Sequence, residues 1–264
     1  MIVLKSAREI ALMRRAGHIL AGVMERLRTF VRPGMSTLEI DEDVEGFIHR
    51  AGAATAFKGY RGFPATACIS INEEVVHGIP SPRRKIREGD IVGLDLGCIV
   101  EGYYADCAFT LPIGPVPAKV QELLDVTRES LDRAIQECRP GRRLSDLSHA
   151  VQSHVEARGF SVVRAFVGHG IGRALHEEPQ IPNFGDPGRG PQLRPGMVLA
   201  IEPMVTMGSW EVRILDDGWT AVTQDGSLAA HFEHTVAVTE DGPEVLTSLA
   251  SQPAASAPGA DLVR

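Results

Sequence analysis

Three things are scarce in this chain of 264 residues: long apolar runs, paired cysteines and an excess of positive charge. No run approaches the ~20 apolar residues that a membrane-spanning helix needs. The first residues, MIVLKSAREIALMRRAG, carry a charge every few positions and lack the unbroken apolar centre of a secretory signal. Cysteine occurs only at 68, 98, 107 and 138, without a CxxC pair or dense spacing. That argues against a disulfide framework and for reduced thiols in the cytosol. Lys and Arg number 27 against 34 Asp and Glu, for a net charge of −7 and a pI near 5.7. The overall basic footprint of a sequence-specific nucleic-acid binder is therefore missing. The local exception, Arg83, Arg84, Lys85 and Arg87, reads as a solvated loop, with contact to an RNA-rich partner as the alternative.

The length suits one large domain or two small ones. Residues 6–28 read as an amphipathic helix, with Ile10, Met13, Leu20, Val23, Met24 and Leu27 near helical spacing. Pro33-Gly34 breaks it, and Ser36 or Thr37 can cap a second helix to about Ala51. Strand-like runs follow at 65–71, 91–99 and 103–110, then helices at 116–137 and 144–158, then mainly strands to about residue 247. The Ala/Pro/Ser-rich stretch 249–264 has little to bury and reads as a disordered tail.

One offset recurs. RPG at 32–34 returns at 139–141, 107 residues later. At that offset Ile40, Val44 and Ile48 fall on Leu147, Val151 and Val155, Gly52 falls on Gly159, and GDIVGLD (89–95) lies over GMVLAIE (196–202). Asp95 superposes on Glu202. The chain thus reads as two diverged α-α-β halves facing each other, each delivering acids to a shared centre.

What is present in place of thiols is a set of oxygen donors and one imidazole. Asp95, Asp106, His169, Glu202 and Glu233 lie in the segments GDIVGLDLG, GYYADCAFT, GHGIG, LAIEPM and FEHT. Three of the acids sit in apolar, strand-like runs, where an unpaired carboxylate is expensive to bury. Such charges are tolerated when paired or when they coordinate a metal. Four carboxylates and one histidine suit two divalent cations better than one thiolate-bound zinc. Asp95 and Asp106 flank a turn around Val100–Gly102, which would set them nearly opposite on one face of a hairpin. His169 lies between Gly168 and Gly170, which let the backbone approach a ligand closely. Glu202 ends an apolar strand before Pro203. Taken singly, each carboxylate also reads as a half-buried salt-bridge partner. His77, in VVHGIP, reads as a turn histidine, Cys68 as a buried core thiol, and Trp219 as a hairpin packing residue.

GFPATACISINEEVVHGIP, GDIVGLDLG, GYYADCAFT, GHGIGRALHEEP, GMVLAIEPM and FEHT occur in the order seen in type I methionine aminopeptidases. The resemblance covers roughly residues 5–245. It implies an α+β pita-bread fold, with two pseudo-twofold related α-α-β halves and a curved, mainly antiparallel sheet. A single catalytic domain would span 1–248, with halves at about 5–112 and 113–246. It also implies a dinuclear site bridged by Asp106 and Glu233, with Asp95 completing one metal's shell and His169 and Glu202 the other's. The cations would be Co, Mn or Fe(II), with Zn and Ni also open to such a shell. A bridging water activated by both metals would attack the first peptide bond. By the same resemblance Glu202 shuttles a proton, His77 binds near the scissile amide and His176 stabilises the oxyanion. Tyr60, Phe63, Cys68, His77, Leu175 and Trp219 would wall the methionine pocket. The implied activity is removal of the N-terminal methionine from nascent chains when the second residue is small. The enzyme would be a cytoplasmic monomer with transient ribosome contact.

Several positions depart from the usual pattern of bacterial members. Leu175 stands where an aromatic residue is usual, Phe63 where tyrosine is usual, His231 where glutamine is usual, and Phe184 where Tyr or Trp is typical. The nearest rivals, aminopeptidase P and prolidase, resemble the ligand set but typically carry a large extra N-terminal domain. Here the first helix is expected within a few residues of Met1. A type II methionine aminopeptidase is disfavoured by the missing helical insertion, and a non-catalytic pita-bread module by the full set of ligands.

Overall fold

In the computed structural model, which describes residues 1–249, two helices precede a group of strands, and the pattern then repeats. The first half holds α1 (Ala7–Phe30), α2 (Thr37–Arg50), β1 (Ala54–Thr55), β2 (Ala67–Ile71), β3 (Glu74–Val76), β4 (Ile91–Val100) and β5 (Tyr103–Pro112). The second opens with α3 (Ala118–Glu137), α4 (Leu144–Glu156), β6 (Ser161–Val162), β7 (Gly168–Gly170), β8 (Glu177–Ile181) and β9 (Val198–Ile201). It closes with β10 (Met204–Thr206), β11 (Val212–Ile214), β12 (Ala221–Thr223), β13 (Ala229–His231), β14 (Glu233–Thr239) and β15 (Gly242–Val245). Most of the tail expected at 249–264 lies outside the described residues. No helix among the described residues is long and apolar enough to cross a membrane.

Local chemistry sets the element ends. Ser6 with Glu9 and Ser36 with Glu39 form reciprocal capping boxes at the starts of α1 and α2. Helix α1 buries Met13, Leu20, Val23, Met24 and Leu27. The β4–β5 hairpin turns on Glu101 and Gly102, whose φ values of 49° and 80° give the left-handed pair that a two-residue hairpin favours.

The 107-residue offset is written into the backbone. Helices α2 and α4 begin at Thr37 and Leu144, and β4 and β9 at Ile91 and Val198. Gly34, Gly52 and Gly89 have φ of 90°, 75° and 87°; Gly141, Gly159 and Gly196, 107 residues on, have 88°, 76° and 91°. The isolated bridge Ser36–Lys85 has its counterpart in Arg143–Gln192. Ile40, Val44 and Ile48 pack with Ile69, Leu94 and Leu96 in one core; Leu147, Val151 and Val155 pack with Leu199, Ile201 and Val236 in another.

Both cores close on one large sheet of strand order β1-β4-β5-β14-β9-β7-β8, with β2 on β4 and β15 on β14. Alternation along β4 divides its two faces. Val92, Leu94, Leu96 and Cys98 face the helices of the first half, which leaves Asp95 and Gly97 on the opposite face. Two smaller sheets have the strand orders β13-β10-β6 and β11-β12-β3.

Asp41 ties α2 to this sheet. It is buried, and one of its oxygens accepts from the backbone N–H of Thr66 and of Ala67, at 3.0 and 2.7 Å. Asp41→Ala would orphan both donors, and each such loss typically costs ~1–3 kcal/mol. Urea denaturation is expected to show a loss of about 2–6 kcal/mol, with Asp41→Asn intermediate. Unchanged stability in the alanine variant would contradict this assignment.

Candidate metal centre

Five adjacent strands supply the five predicted donors. Asp95 comes from β4, Asp106 from β5, Glu233 from the start of β14, Glu202 from the residue after β9, and His169 from β7. Register places them on one face. Ala108 lies opposite both Asp95 and Glu233, and Ala200 lies opposite both Thr235 and His169. Asp106 lies opposite Gly97, two residues from Ala108 and so on the same side. Glu202 is likewise two residues beyond Ala200. The small side chains of Ala108 and Ala200 lie among the donors on this face, while the space over Gly97 is taken by the Phe57 ring.

The hairpin reading needs one correction. Asp95 and Asp106 share a face but are diagonal rather than nearly opposite, because the turn centres on Glu101–Gly102. A turn one residue later moves the pairing partner by two.

Each donor is held differently. His169 Nδ1 donates to its neighbour's carbonyl, Gly170 O, at 2.9 Å, which leaves Nε2 as the lone-pair nitrogen facing the acids. That Nε2 lies 3.4 Å from Glu202 Oε1 and 4.0 Å from Asp106 Oδ2. A Cβ on Gly168 would come within 2.5 Å of Ala200 O, and one on Gly170 within 2.2 Å of Glu178 O. The glycine bracket is thus demanded by packing between neighbouring strands. Asp106 is fixed through its backbone: its N–H donates to Thr235 Oγ1, and that hydroxyl donates to Asp106 O. Glu202 stands where Pro203 ends β9 and the chain leaves for another sheet.

The charges fit a cation. Ligand atoms of Asp106, His169 and Glu233 lie within 4.8 Å of one another. Asp95 Oδ1, Asp106 Oδ1 and Glu233 Oε1 are buried oxygens without a hydrogen-bond partner. Burial pushes the Asp95 carboxyl up to about 7. Burial and then the charges of neighbouring acids push Asp106, Glu202 and Glu233 well above the usual carboxylate range. Burial lowers His169 to about 4, so its ring is neutral and ready to ligate. Hard oxygens with one neutral imidazole match a divalent ion.

A cavity of about 190 Å³ opens in front of the donors, and every residue predicted for the site lines it. His77 and His176 stand at its sides, and Tyr60, Phe63, Cys68, Leu175 and Trp219 form an apolar end. Phe63 meets Trp219 edge to face at 5.1 Å. Tyr60 does more than wall the pocket: its hydroxyl is 2.8 Å from His176 Nδ1, and the two rings stack.

Sequence reasoning assigned no role to Phe57, Phe166, Met204 or His231, which also line the cavity. The signal for Phe57 was Gly97, where a Cβ would meet the phenylalanine ring at 2.5 Å. His231 lies cross-strand from Met204, with Nε2 buried, without a hydrogen-bond partner and 4.0 Å from Glu202 Oε2. Phe184 is absent from the cavity lining and stacks on Arg164.

A single sheet face carrying four carboxylates and a neutral histidine beside an apolar cavity defines a metal-dependent hydrolase centre. Residues 11–240 match the model of metallopeptidase family M24, and the chain belongs to that family. Methionine aminopeptidase 1 of Bacillus subtilis is 52% identical over 247 residues, covering 94% of this chain and 99% of that one. The crystal structure of methionine aminopeptidase from Thermotoga maritima superposes with a TM-score of 0.93 at 48% identity, over 94% of this chain and 100% of that one. Prolidase from Pyrococcus furiosus shares the fold, with a TM-score of 0.76 at 23% identity, covering 93% of this chain and 65% of that one. The fold is the α+β pita-bread fold.

The raised carboxyls make the metal-free protein sensitive to base. A carboxyl whose folded pKa exceeds its unfolded value stabilises the fold at low pH, and that contribution is lost as pH rises through the folded pKa. The lowered histidines, His77, His154, His169, His176, His231 and His234, act oppositely, but only below their unfolded value of 6.5. Between pH 6.5 and 8 the carboxylates therefore dominate. The melting temperature of metal-free protein should fall across that interval, and saturating Mn(II) should largely abolish the fall. A flat or rising profile without metal would contradict the assignment.

Proposed function

We propose that this chain is a methionyl aminopeptidase that removes the N-terminal methionine from nascent proteins and peptides whose second residue is small. The observation that carries the reading is the junction of the donor set with the apolar cavity end. A peptide held there by its first side chain would present its first peptide bond to the donors. Relatives near 50% identity over almost the whole chain support the same activity.

Asp95, Asp106, His169, Glu202 and Glu233 would together hold two divalent ions. Co, Mn and Fe(II) suit this set, and Zn or Ni would also be accepted. Bound there, the ions supply Lewis acidity to the peptide carbonyl and lower the pKa of a water. The side chains supply the rest. Glu202, beside His169 and with its carboxyl raised, can take a proton and return it to the leaving amine. Tyr60 O–H, 2.8 Å from His176 Nδ1, would donate to it and so fix the tautomer that carries hydrogen on Nε2. Desolvation, helped by His169, Arg61 and His77, holds His176 below the ordinary histidine range and so neutral. Its Nε2–H would then donate to the developing oxyanion. His77, braced edge to face by Phe166 and Trp219, would hold the scissile amide. Phe63, Cys68, Leu175 and Trp219, with Tyr60 and His77, would exclude water around the methionine side chain.

The catalytic domain would be the unit 1–248, with halves at about 5–112 and 113–246. Four unpaired, buried cysteines support a reducing cytoplasmic setting. The chain would act there as a monomer on emerging N-termini, in transient contact with the ribosome.

Methionine release from a Met-Ala-Ser peptide, with Leu-Ala-Ser as control and Mn(II), Fe(II) or Co(II) supplied, tests the reading. Release from the first peptide and little from the second is expected, and Asp106→Asn should lose most of it. No release with any of these ions, by folded protein, would refute it. Tyr60→Phe keeps the ring but loses the tautomer-fixing hydrogen bond, so kcat should fall about tenfold while KM stays nearly constant. Equal losses in kcat and affinity would argue against that role. Leu175→Phe should tighten the pocket and sharpen preference for methionine over norleucine. Unchanged selectivity would remove Leu175 as its determinant.

A further inference from the structure

The loop between β7 and β8, which ends in Leu175 and His176, is held from outside the cavity by the start of the chain. Lys5, just before α1, is buried, with its side chain 4% exposed. Its Nζ lies 2.5 Å from Glu177 Oε2 and also donates to Val3 O at 3.1 Å. The other oxygen of that carboxylate, Oε1, accepts from the backbone N–H of Arg173 at 2.8 Å and of Ala174 at 3.2 Å. Glu177 directly follows His176, so one carboxylate ties the loop's beginning to its end.

The surroundings are shaped around this pair. A Cβ on Gly172 would lie 2.4 Å from Lys5 Cε and 2.7 Å from Glu177 Oε1. Glycine at 172 is therefore the gap through which the lysine reaches the carboxylate. Lys5 is itself pinned, its N–H donating to Gly196 O at 2.7 Å, while Tyr104 N–H donates to Gly172 O at 2.8 Å. A second tether runs beside the first: Arg173 lies over the Tyr103 ring, and Tyr103 O–H donates to Glu9 Oε1 at 2.6 Å.

A buried ion pair is seldom the cheapest way to stabilise a fold, since apolar residues of similar volume often do as well or better. This one fixes two consecutive loop amides and sits one residue from His176. We propose that Lys5 and Glu177 are positioning residues that hold His176 in its working orientation. The inference rests on the peptidase reading, in which His176 serves the transition state. Lys5 does not line the catalytic cavity and acts only through Glu177 and the loop.

Lys5→Met, Glu177→Gln and the double variant test this, each assayed as metal-loaded full-length protein on Met-Ala-Ser. Lys5→Met leaves a buried carboxylate without its cation. Its kcat should fall at least about tenfold with KM within about threefold, the pattern of an interaction that matters mainly in the transition state. Glu177→Gln keeps an oxygen for both amides, so its loss should be smaller. The double variant should recover toward the Glu177→Gln level, because no unpaired charge remains. Amide hydrogen exchange over 171–177 should quicken in Lys5→Met while peptides from β4 and β5 keep wild-type protection. A purely structural role would lower melting temperature and leave the kcat of folded protein unchanged, and that result would overturn the proposal. Should Lys5→Met fail to fold, the double variant and Glu177→Gln carry the test, and wild-type kcat and loop exchange in both would refute it. If the wild type releases no methionine, the peptidase reading fails, and the exchange measurement alone decides whether the pair clamps the loop.

Discussion

Four carboxyl groups are buried together on one face of one sheet, and the cost of that burial, added to by their mutual repulsion, is the constraint on which the rest of the structure depends. In water such charges would separate. Here Asp95, Asp106 and Glu233 are fixed by strand register, and Glu202 by the point at which the chain leaves β9. Each half closes its own core on the opposite face of the sheet, so the acids cannot be withdrawn without breaking that packing. Orphaned oxygens and raised carboxyl pKa values record the cost, set first by burial and then, at Asp106 and Glu233, by the charges of neighbouring acids. Divalent cations offset it, which makes metal binding part of the folding energy as well as of the chemistry.

The 107-residue repeat explains how such a site is built. Each half is an α-α-β unit whose helices cover one side of its strands, and the two sets of strands join edge to edge at β5 and β14. Asp95 and Glu202 occupy equivalent places in the two halves. The seam gathers donors from both, and no single half carries the whole set. The apolar end of the cavity draws on residues from across the chain, from Tyr60 to Trp219.

Much of this was legible in the sequence because it is local or periodic. A capping residue at 36 or 37, helical apolar spacing and the recurring RPG gave α1, α2 and α4 to within a few residues, and the embedded acids marked the donor set. The hairpin register was missed by two because a one-residue change in turn centre leaves the facing pattern intact. Individual side-chain contacts between distant segments were not readable. Nothing near Tyr60 says that its hydroxyl meets His176, 116 residues away. Likewise Lys5 looks like an ordinary helix-flanking charge until the fold brings Glu177 to it, 172 residues on. Phe57 was hidden for a similar reason, since its only mark was a glycine on another strand.

Calorimetric titration of metal-free protein with Mn(II) at pH 7, in buffers of different ionisation enthalpy, tests the central claim most directly. If the raised carboxyls are the metal's ligands, binding must release protons, and the observed heat must vary with the buffer. Asp106→Asn should weaken binding sharply. Absence of binding, or binding with no proton release and no dependence on Asp106, would contradict a site built from this repelling set.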